Sequence, residues 1–99
     1  MGTTAEDLMR ARYTAFVRNN AGFIVASTHP ARRPEGLLLD PTVEWLGLEV
    51  LETEGGNALE TTGTVRFRVS YRVGGQPGTR DELSRFERVD GTWYFVESV

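Results

Sequence analysis

The chain has 99 residues, 39% apolar and 10% aromatic, which predicts one globular domain over residues 1–99 and excludes a disordered chain. The net charge is only −3 with both signs interspersed, which excludes the basic stripe of a nucleic-acid-binding protein and the polybasic segment of a lipid-binding protein. Cysteine is absent, which excludes disulfides and thiolate zinc sites.

The first predicted helix follows a threonine cap near the N-terminus. Thr3 or Thr4 can accept a hydrogen bond from the first turn, and Glu6 or Asp7 can complete a capping box. An apolar stripe at helical spacing then covers roughly four turns. The stripe consists of Leu8, Met9, Tyr13, Phe16 and Val17. This pattern predicts an amphipathic helix with one face on a core.

A second, short helix is expected after Asn19 or Asn20, either of which can cap it. It includes residues 23–25 and must end before Pro30, because the residue before a proline avoids the α region. Residues 31–36 are expected to form a loop. Asp40-Pro41 then predicts a single helical turn, with a cap followed by proline at the first helical position.

The second half of the chain alternates between apolar and polar residues, as half-buried strands do. Leu46, Leu48 and Val50 are predicted to face the core together. Apolar residues then occupy every second position from Val65 to Val73. Turns at 55–57, 74–78 and 90–91 separate the strands. The element order predicts an α+β fold, in which two N-terminal helices pack on a four-stranded antiparallel meander.

The polar side of the second strand carries three arginines, Arg66, Arg68 and Arg72. We expect them to pair across strands with acids such as Glu52, Glu87 or Asp81. A face so charged is well solvated and is less suited to a dimer interface. An apolar patch nearer the sheet edges keeps a homodimer open beside a monomer, and it consists of Trp45, Leu51, Trp93 and Phe95.

Five segments resemble, in the same order, the YchJ-like family of small bacterial domains. They are Leu8–Phe16 (LMRARYTAF), Thr28–Pro30 (THP), Trp45–Leu51 (WLGLEVL), Glu82–Phe86 (ELSRF) and Asp90–Phe95 (DGTWYF), within a resemblance from about Ala5 to Phe95. The resemblance implies a nuclear transport factor 2-like (NTF2-like) cone, with helices over a curved sheet, and no particular reaction. YchJ-like proteins commonly carry cysteine-rich SEC-C zinc motifs beside this domain. Zinc binding by those motifs does not extend to this cysteine-free chain.

Helices laid over a curved sheet leave a concave pocket, which is a general site for small ligands. In enzymes of the fold that the resemblance implies, this pocket holds a Tyr, Asp or His for acid–base chemistry. His29 is the only histidine, and it either serves as an acid or base or hydrogen-bonds the turn before Pro30. A lone histidine without cysteine indicates no metal site, and we expect no cofactor.

Arg12 borders the apolar stripe of the first helix, where an unpaired buried charge would be costly. One interpretation is an ion pair with Glu82, Asp40 or Glu44 that locks the helix to the sheet. The other interpretation is that Arg12 binds the anionic head of a ligand in the pocket. We favour the ion pair, because structural ion-pair networks are common.

The remaining candidates are an aromatic pair and two polar strand residues. Tyr13 lies where some enzymes of this fold donate a phenolic proton, although a core position is the more common role of such a tyrosine. Trp45 is expected in the core or the pocket wall. Glu82 and Ser84 alternate with Phe86 and so point inward, unless a bulge near residues 77–78 shifts the register. Polar residues in a core-facing row indicate a functional or strained site.

The sequence favours a non-catalytic module that binds a small molecule or a protein partner. The alternative is an isomerase, dehydratase or hydrolase that uses His29, Glu82 and Tyr13. The family's usual His-Glu pair is Asp81-Glu82 here, which weakens that alternative. A third hypothesis is an interaction domain detached from a SEC-C partner. We expect no nucleic acid, no membrane contact and a cytoplasmic location, because no long apolar run follows the N-terminus.

Overall fold

Two N-terminal helices pack on one face of a four-stranded antiparallel sheet in the computed structural model, which describes residues 4–99. The elements are α1 Ala5–Val17, α2 Ala21–Ala26, a 3₁₀ helix Pro30–Arg32, β1 Val43–Gly55, β2 Thr62–Val73, β3 Gln76–Val89 and β4 Thr92–Ser98. The strands pair in the order β1-β2-β3-β4. The predicted α+β meander with N-terminal helices is therefore confirmed.

Both helices begin at side-chain caps that the sequence predicted. The Thr4 hydroxyl accepts a hydrogen bond from the Asp7 amide at 3.1 Å, and the Asn20 side chain accepts one from the Phe23 amide at 3.1 Å. The alternative cap Thr3 lies outside the described residues. Asn19 adopts a left-handed φ of 54° between the two helices, so α1 ends there and the chain turns into α2.

The buried stripe of α1 differs from the predicted one at its end. Its buried residues are Ala5, Leu8, Met9, Arg12 and Ala15. Val17 is 45% exposed, so its assignment to the core was wrong. It follows Arg12 by five positions, which places it about 140° around the helix and away from the sheet.

A bulge in β1 reverses one predicted orientation. The pairing of β1 with β2 shifts register between Trp45 and Gly47. The extra residue sends Leu46 to the outer face, where it is 45% exposed. Trp45, Leu48 and Val50 instead pack against the core. The prediction that Leu46 shares a face with Leu48 was therefore wrong.

The predicted alternation in β2 is largely confirmed. Val65, Phe67 and Val69 are buried and Tyr71 packs against them, whereas Val73 at the strand end is exposed. The turn that follows is shorter than predicted, because Gly74 and Gly75 close it with φ values of 57° and 81° and β3 begins at Gln76.

The outer face of the sheet carries cross-strand ion pairs, as expected, but with partly different partners. Arg68 donates to Asp81 at 2.7 Å, and Arg72 donates to Glu44 at 3.2 Å. Glu87 does not pair with an arginine among the described residues, and its nearest ion-pair partner is His29 at 3.9 Å. These pairs are exposed, so each contributes little to stability.

Two contacts outside the regular elements hold the helical segment on the sheet. The Ala5 amide donates to the Gly56 carbonyl at 2.9 Å, which joins the start of α1 to the β1–β2 turn and closes the narrow end of the cone. Thr28 forms an isolated parallel β-bridge with Phe95, and the His29 amide donates to the Phe95 carbonyl at 2.8 Å. The residues that follow α2 therefore cover the free edge of β4.

Asp40 and Thr42 form a turn just before β1. The Asp40 side chain accepts hydrogen bonds from the amide and hydroxyl of Thr42, at 2.9 and 2.6 Å, so the predicted helical turn is a non-helical turn. Within residues 4–99, no helix is both long enough and apolar enough to cross a membrane.

Candidate functional site

A cavity of about 300 Å³ lies between α1 and the concave face of the sheet. This volume is at the lower limit of the range typical of small-ligand pockets. The apolar part of its wall includes Phe16, Trp45, Phe67, Val69, Phe86 and Phe95. The narrow end of the cone is closed at Ala5, so the cavity occupies the wider end, near Phe16 and Trp45.

The structure brings five of the six predicted site residues to this one cavity. They are Arg12, Tyr13, Trp45, Glu82 and Ser84. They come from α1, β1 and β3, which are far apart in the chain. His29 does not line the cavity. That the five residues bind a ligand stays a prediction.

Arg12 is 92% buried, with 8% of its surface exposed, and it contacts α2 rather than a carboxylate. Its Nη1 donates to the Ile24 carbonyl at 3.0 Å, the Ser27 hydroxyl at 2.7 Å and the Thr28 hydroxyl at 3.2 Å. Its guanidinium carbon lies 4.2 Å from the centre of the Phe95 ring, in a cation–π arrangement.

The predicted ion pair of Arg12 with Glu82, Asp40 or Glu44 is wrong. Among the described residues, no carboxylate oxygen comes within 4.0 Å of its guanidinium, and Glu44 pairs with Arg72 instead. Neutral acceptors on α2 and the face of an aromatic ring replace the carboxylate. Burial lowers the pKa of Arg12 to about 10, so the group remains charged at neutral pH.

Glu82 and Ser84 lie on the cavity side of β3 together with Phe86. The pairing of β2 with β3 is continuous from Gln76 to Glu87, so the bulge considered near residues 77–78 is absent and the register places both polar side chains inward. Ser84 is buried, and Glu82 is half-buried at a position nearer the wide end.

An aromatic cluster forms the wide end of the cavity. Tyr13 and Phe16 of α1 contact Trp45 with ring centres 6.3 and 6.0 Å apart, and Trp45 contacts Tyr71 at 6.3 Å. The contacts of Trp45 with Tyr13 and Tyr71 are edge-to-face and that with Phe16 is tilted, and together they fix the orientation of the rings. Burial raises the pKa of the Tyr13 hydroxyl above its ordinary value of 10.0, so the hydroxyl remains protonated at neutral pH.

Several polar atoms of the residues around the cavity have no hydrogen-bond partner within residues 4–99. In the part of the chain that the structure describes, the Tyr13 hydroxyl, the Ser84 hydroxyl, the Glu82 carboxylate and the Nε and Nη2 atoms of Arg12 make no hydrogen bond. Yet no fully buried side-chain nitrogen or oxygen in residues 4–99 lacks a partner. These atoms must therefore be accessible to solvent, and the residues that carry them line the cavity.

His29 serves the turn that covers the edge of β4. Its Nδ1 accepts a hydrogen bond from the Ala31 amide at 3.1 Å, which begins the 3₁₀ helix. Its ring packs against Tyr94 with centres 6.2 Å apart, and its Nε2 lies 3.9 Å from a Glu87 oxygen. These contacts match the structural interpretation of His29. Within the described residues, no group of three or more His, Cys, Asp or Glu side chains could hold a metal ion.

Sequence reasoning missed the residues that hold Arg12. Ser27 and Thr28 follow α2 and present their hydroxyls to its guanidinium, while Phe95 of β4 supports the opposite side. Two adjacent hydroxyl residues at the end of an apolar helix were the available signal. Their partner could not be identified, because nothing in the local pattern shows which distant side chain will reach them.

A family model described as the YchJ middle, NTF2-like domain matches residues 4–98. A UPF0225 protein of Streptomyces coelicolor is 52% identical over 94 residues, which are 95% of this chain and 73% of that protein. A UPF0225 protein of Geobacter sulfurreducens is 41% identical over 102 aligned residues, covering 95% of this chain and 62% of its own length.

Two solved structures share the fold. The solution structure of a SEC-C motif containing protein from Rhodopseudomonas palustris superposes with a TM-score of 0.85 at 32% identity, over 98% of this chain and 78% of that one. The crystal structure of a SEC-C motif containing protein from Psychrobacter arcticus gives a TM-score of 0.77 at 29% identity, over 95% of this chain and 59% of that one.

Proposed function

The chain belongs to the YchJ middle NTF2-like domain family, and we propose that it is a binding module that holds a small organic molecule in the cavity between α1 and the sheet. The observation that carries the proposal is the set of polar atoms around the cavity that make no hydrogen bond among residues 4–99. A ligand with a few polar groups and an apolar body would complete their hydrogen bonds.

The size and lining of the cavity support a small molecule over a protein segment. A volume of about 300 Å³ accommodates a compact molecule rather than a folded helix or strand. Aromatic side chains surround the space, and their mutual contacts fix the positions of its walls. Such a preformed site binds a ligand without the entropic cost of ordering its walls.

The acid–base enzyme is the weaker hypothesis. Catalysis through His29, Glu82 and Tyr13 needs the three groups around one point, and His29 lies outside the cavity. Tyr13 and Glu82 share the cavity and would form an acid and a base of suitable type. Their chemistry would also serve simple hydrogen bonding to a ligand, which requires no reaction.

The proposal is tested by titrating ¹⁵N-labelled protein with a panel of fragment-sized aromatic and aliphatic compounds while recording amide NMR spectra. We expect saturable shifts at residues around the cavity, such as Tyr13, Trp45 and Ser84. Ser84→Leu places a larger apolar side chain into the space and should abolish these shifts.

The matched control is Ser70→Leu, the same change on the outer face of the neighbouring strand. Ser70 pairs with Thr79 and does not line the cavity, so its variant should retain the binding of the wild-type protein. Absence of saturable shifts across the whole panel would refute the proposal. Equal binding by both variants would place the ligand elsewhere and refute it as well.

A further inference from the structure

Arg12 is a buried cation that forms no ion pair with any carboxylate of residues 4–99. It is 92% buried, with 8% of its surface exposed, and its pKa of about 10 leaves it charged at neutral pH. Its hydrogen bonds, all through Nη1, go to the Ile24 carbonyl of α2 and to the hydroxyls of Ser27 and Thr28 just after α2. Buried charges in proteins are normally paired with an opposite charge, so this arrangement is incomplete as it stands.

Arg12 lines the cavity, and two of its three guanidinium nitrogens make no hydrogen bond among residues 4–99. Nη1 is held by α2 and the guanidinium stacks on Phe95, which fixes the position of the group. Nε and Nη2 make no hydrogen bond among residues 4–99. Because no fully buried side-chain nitrogen in this range lacks a partner, both atoms must be accessible to solvent. Together they present the parallel N–H pair that binds a carboxylate through two hydrogen bonds.

We propose that the ligand of this cavity is an organic carboxylate with an apolar body, bound through its carboxylate by Nε and Nη2 of Arg12. This inference rests on the proposed function, since it names the class of molecule that the same cavity binds. The anion supplies the counter-charge that no carboxylate of the described residues provides within ion-pair distance. The aromatic wall contributed by Phe16, Trp45 and Phe95 packs on the apolar body.

The charges of the lining favour a carboxylate over a phosphate. Among residues 4–99, Arg12 is the only cationic residue that lines the cavity, and one positive charge matches a monoanion better than the nearly doubly charged phosphate. Glu82 also lines the cavity, and because its negative charge repels each charge on an anionic ligand, it disfavours a dianion more than a monoanion. Glu82 is only half-buried, so water weakens its effect more than that of Arg12.

The experiment compares pairs of probes that differ only in charge. 3-Phenylpropionate and 3-phenylpropionamide form the first pair, and several aryl and alkyl carboxylates are each matched with their amide. Dissociation constants come from NMR titration of the wild-type protein, and the Arg12 Nε–H resonance is followed in the same spectra. We expect the carboxylate of at least one pair to bind about tenfold or more tightly than its amide and to shift the Arg12 resonance.

Two variants assign this preference to Arg12. Arg12→Met should remove the preference for the carboxylate while the amide keeps its affinity, which also demonstrates an intact cavity. Arg66→Met removes one positive charge from the exposed outer face of β2 and should leave the preference unchanged. If Arg12→Met does not fold, the shift of the Arg12 Nε–H resonance in the wild-type protein decides.

The outcomes separate this inference from the proposed function. If amides bind as tightly as carboxylates across the panel, the cavity is a ligand site but Arg12 is not its anion receptor, and the inference is overturned. The same holds if the carboxylates bind without moving the Arg12 resonance. If no probe of either class binds up to its solubility limit, both the proposed function and the inference fail.

Discussion

Replacement of Arg12 by methionine tests whether its buried charge lacks a partner. Lowering the pKa from 12.5 to about 10 corresponds to a penalty of roughly 3 kcal/mol on the charged form, at about 1.4 kcal/mol for each tenfold change in proton affinity. The charged hydrogen bonds of Nη1 return about 1.5–3 kcal/mol, and the contact with Phe95 returns up to about 2 kcal/mol.

These opposing contributions nearly cancel in the ligand-free protein. The partners of Nη1 also retain other hydrogen bonds, because the hydroxyls of Ser27 and Thr28 donate to carbonyls of α2 at 2.7 Å. Methionine fills much of the same space without a charge. We therefore expect Arg12→Met to change the free energy of unfolding by no more than about 1–2 kcal/mol, well below the ~3–5 kcal/mol lost when a buried ion pair is broken.

The assay is urea denaturation of the wild-type protein, Arg12→Met and Arg12→Lys, analysed with a shared m-value. Arg12→Lys keeps the buried charge but loses the planar group that stacks on Phe95 and bonds α2. The lysine variant should therefore be the less stable of the two. A loss of 3 kcal/mol or more for Arg12→Met, at about the cost of a broken ion pair, would refute this reasoning. A lysine variant more stable than the methionine variant would refute it equally.

Two further predictions concern the sheet. A Cβ on Gly63 would lie 2.6 Å from the backbone nitrogen of Gly56, so Gly63→Ala should lower the free energy of unfolding by about 2–3 kcal/mol or more. The control is Gly47→Ala, which has nothing within 4 Å of its Cβ and should be neutral or slightly stabilising in the same denaturation assay. Equal effects of the two substitutions would contradict the packing argument. The hydrogen bond from Arg68, with its positive charge, lowers the pKa of Asp81 below its ordinary 3.8 in the folded state. As the pH falls, Asp81 is therefore protonated in the unfolded chain before it is protonated in the folded protein. Its contribution to stability is present above pH 3.8 and is lost as the pH falls through the folded-state pKa. In thermal melts at a series of pH values, Asp81→Asn should reduce the fall in melting temperature below pH 3.8. An equal fall in melting temperature for the variant and the wild-type protein would contradict the expectation.

The fold was predictable because local patterns and long-range packing agree along most of the chain. The alternation at Val65, Phe67 and Val69 survived, since this strand lies in the middle of the sheet beneath α1. The errors fall where geometry departs from the ideal period. The bulge beside Gly47 reversed Leu46, and Val73 lies at a strand end that leaves it exposed. A period of two cannot anticipate an inserted residue or the end of the covering helix.

The composition of the candidate site was partly predictable for a different reason. Glu82 and Ser84 stood out because they occupy core-facing positions of a strand, and Arg12 stood out because it interrupts the buried stripe of a helix. The partner of Arg12 was not predictable, because a carboxylate, a group of hydroxyls and a ligand all satisfy the same local pattern. Only the three-dimensional structure shows that Nη1 of Arg12 donates to the hydroxyls of Ser27 and Thr28.

The residues that conflict with core packing converge on one point of the molecule. Arg12, Glu82 and Ser84 each replace an apolar side chain in a core position, and they come from a helix and a strand about seventy residues apart in the chain, yet all three line the same cavity. Polar residues tolerated only as packing defects would be scattered, because each would need its own local compensation. A buried charge that methionine could replace at little cost has no structural reason to be an arginine. Its presence beside polar groups that make no hydrogen bond among residues 4–99 is explained if a ligand completes the site, since functional sites commonly contain residues that do not maximise stability.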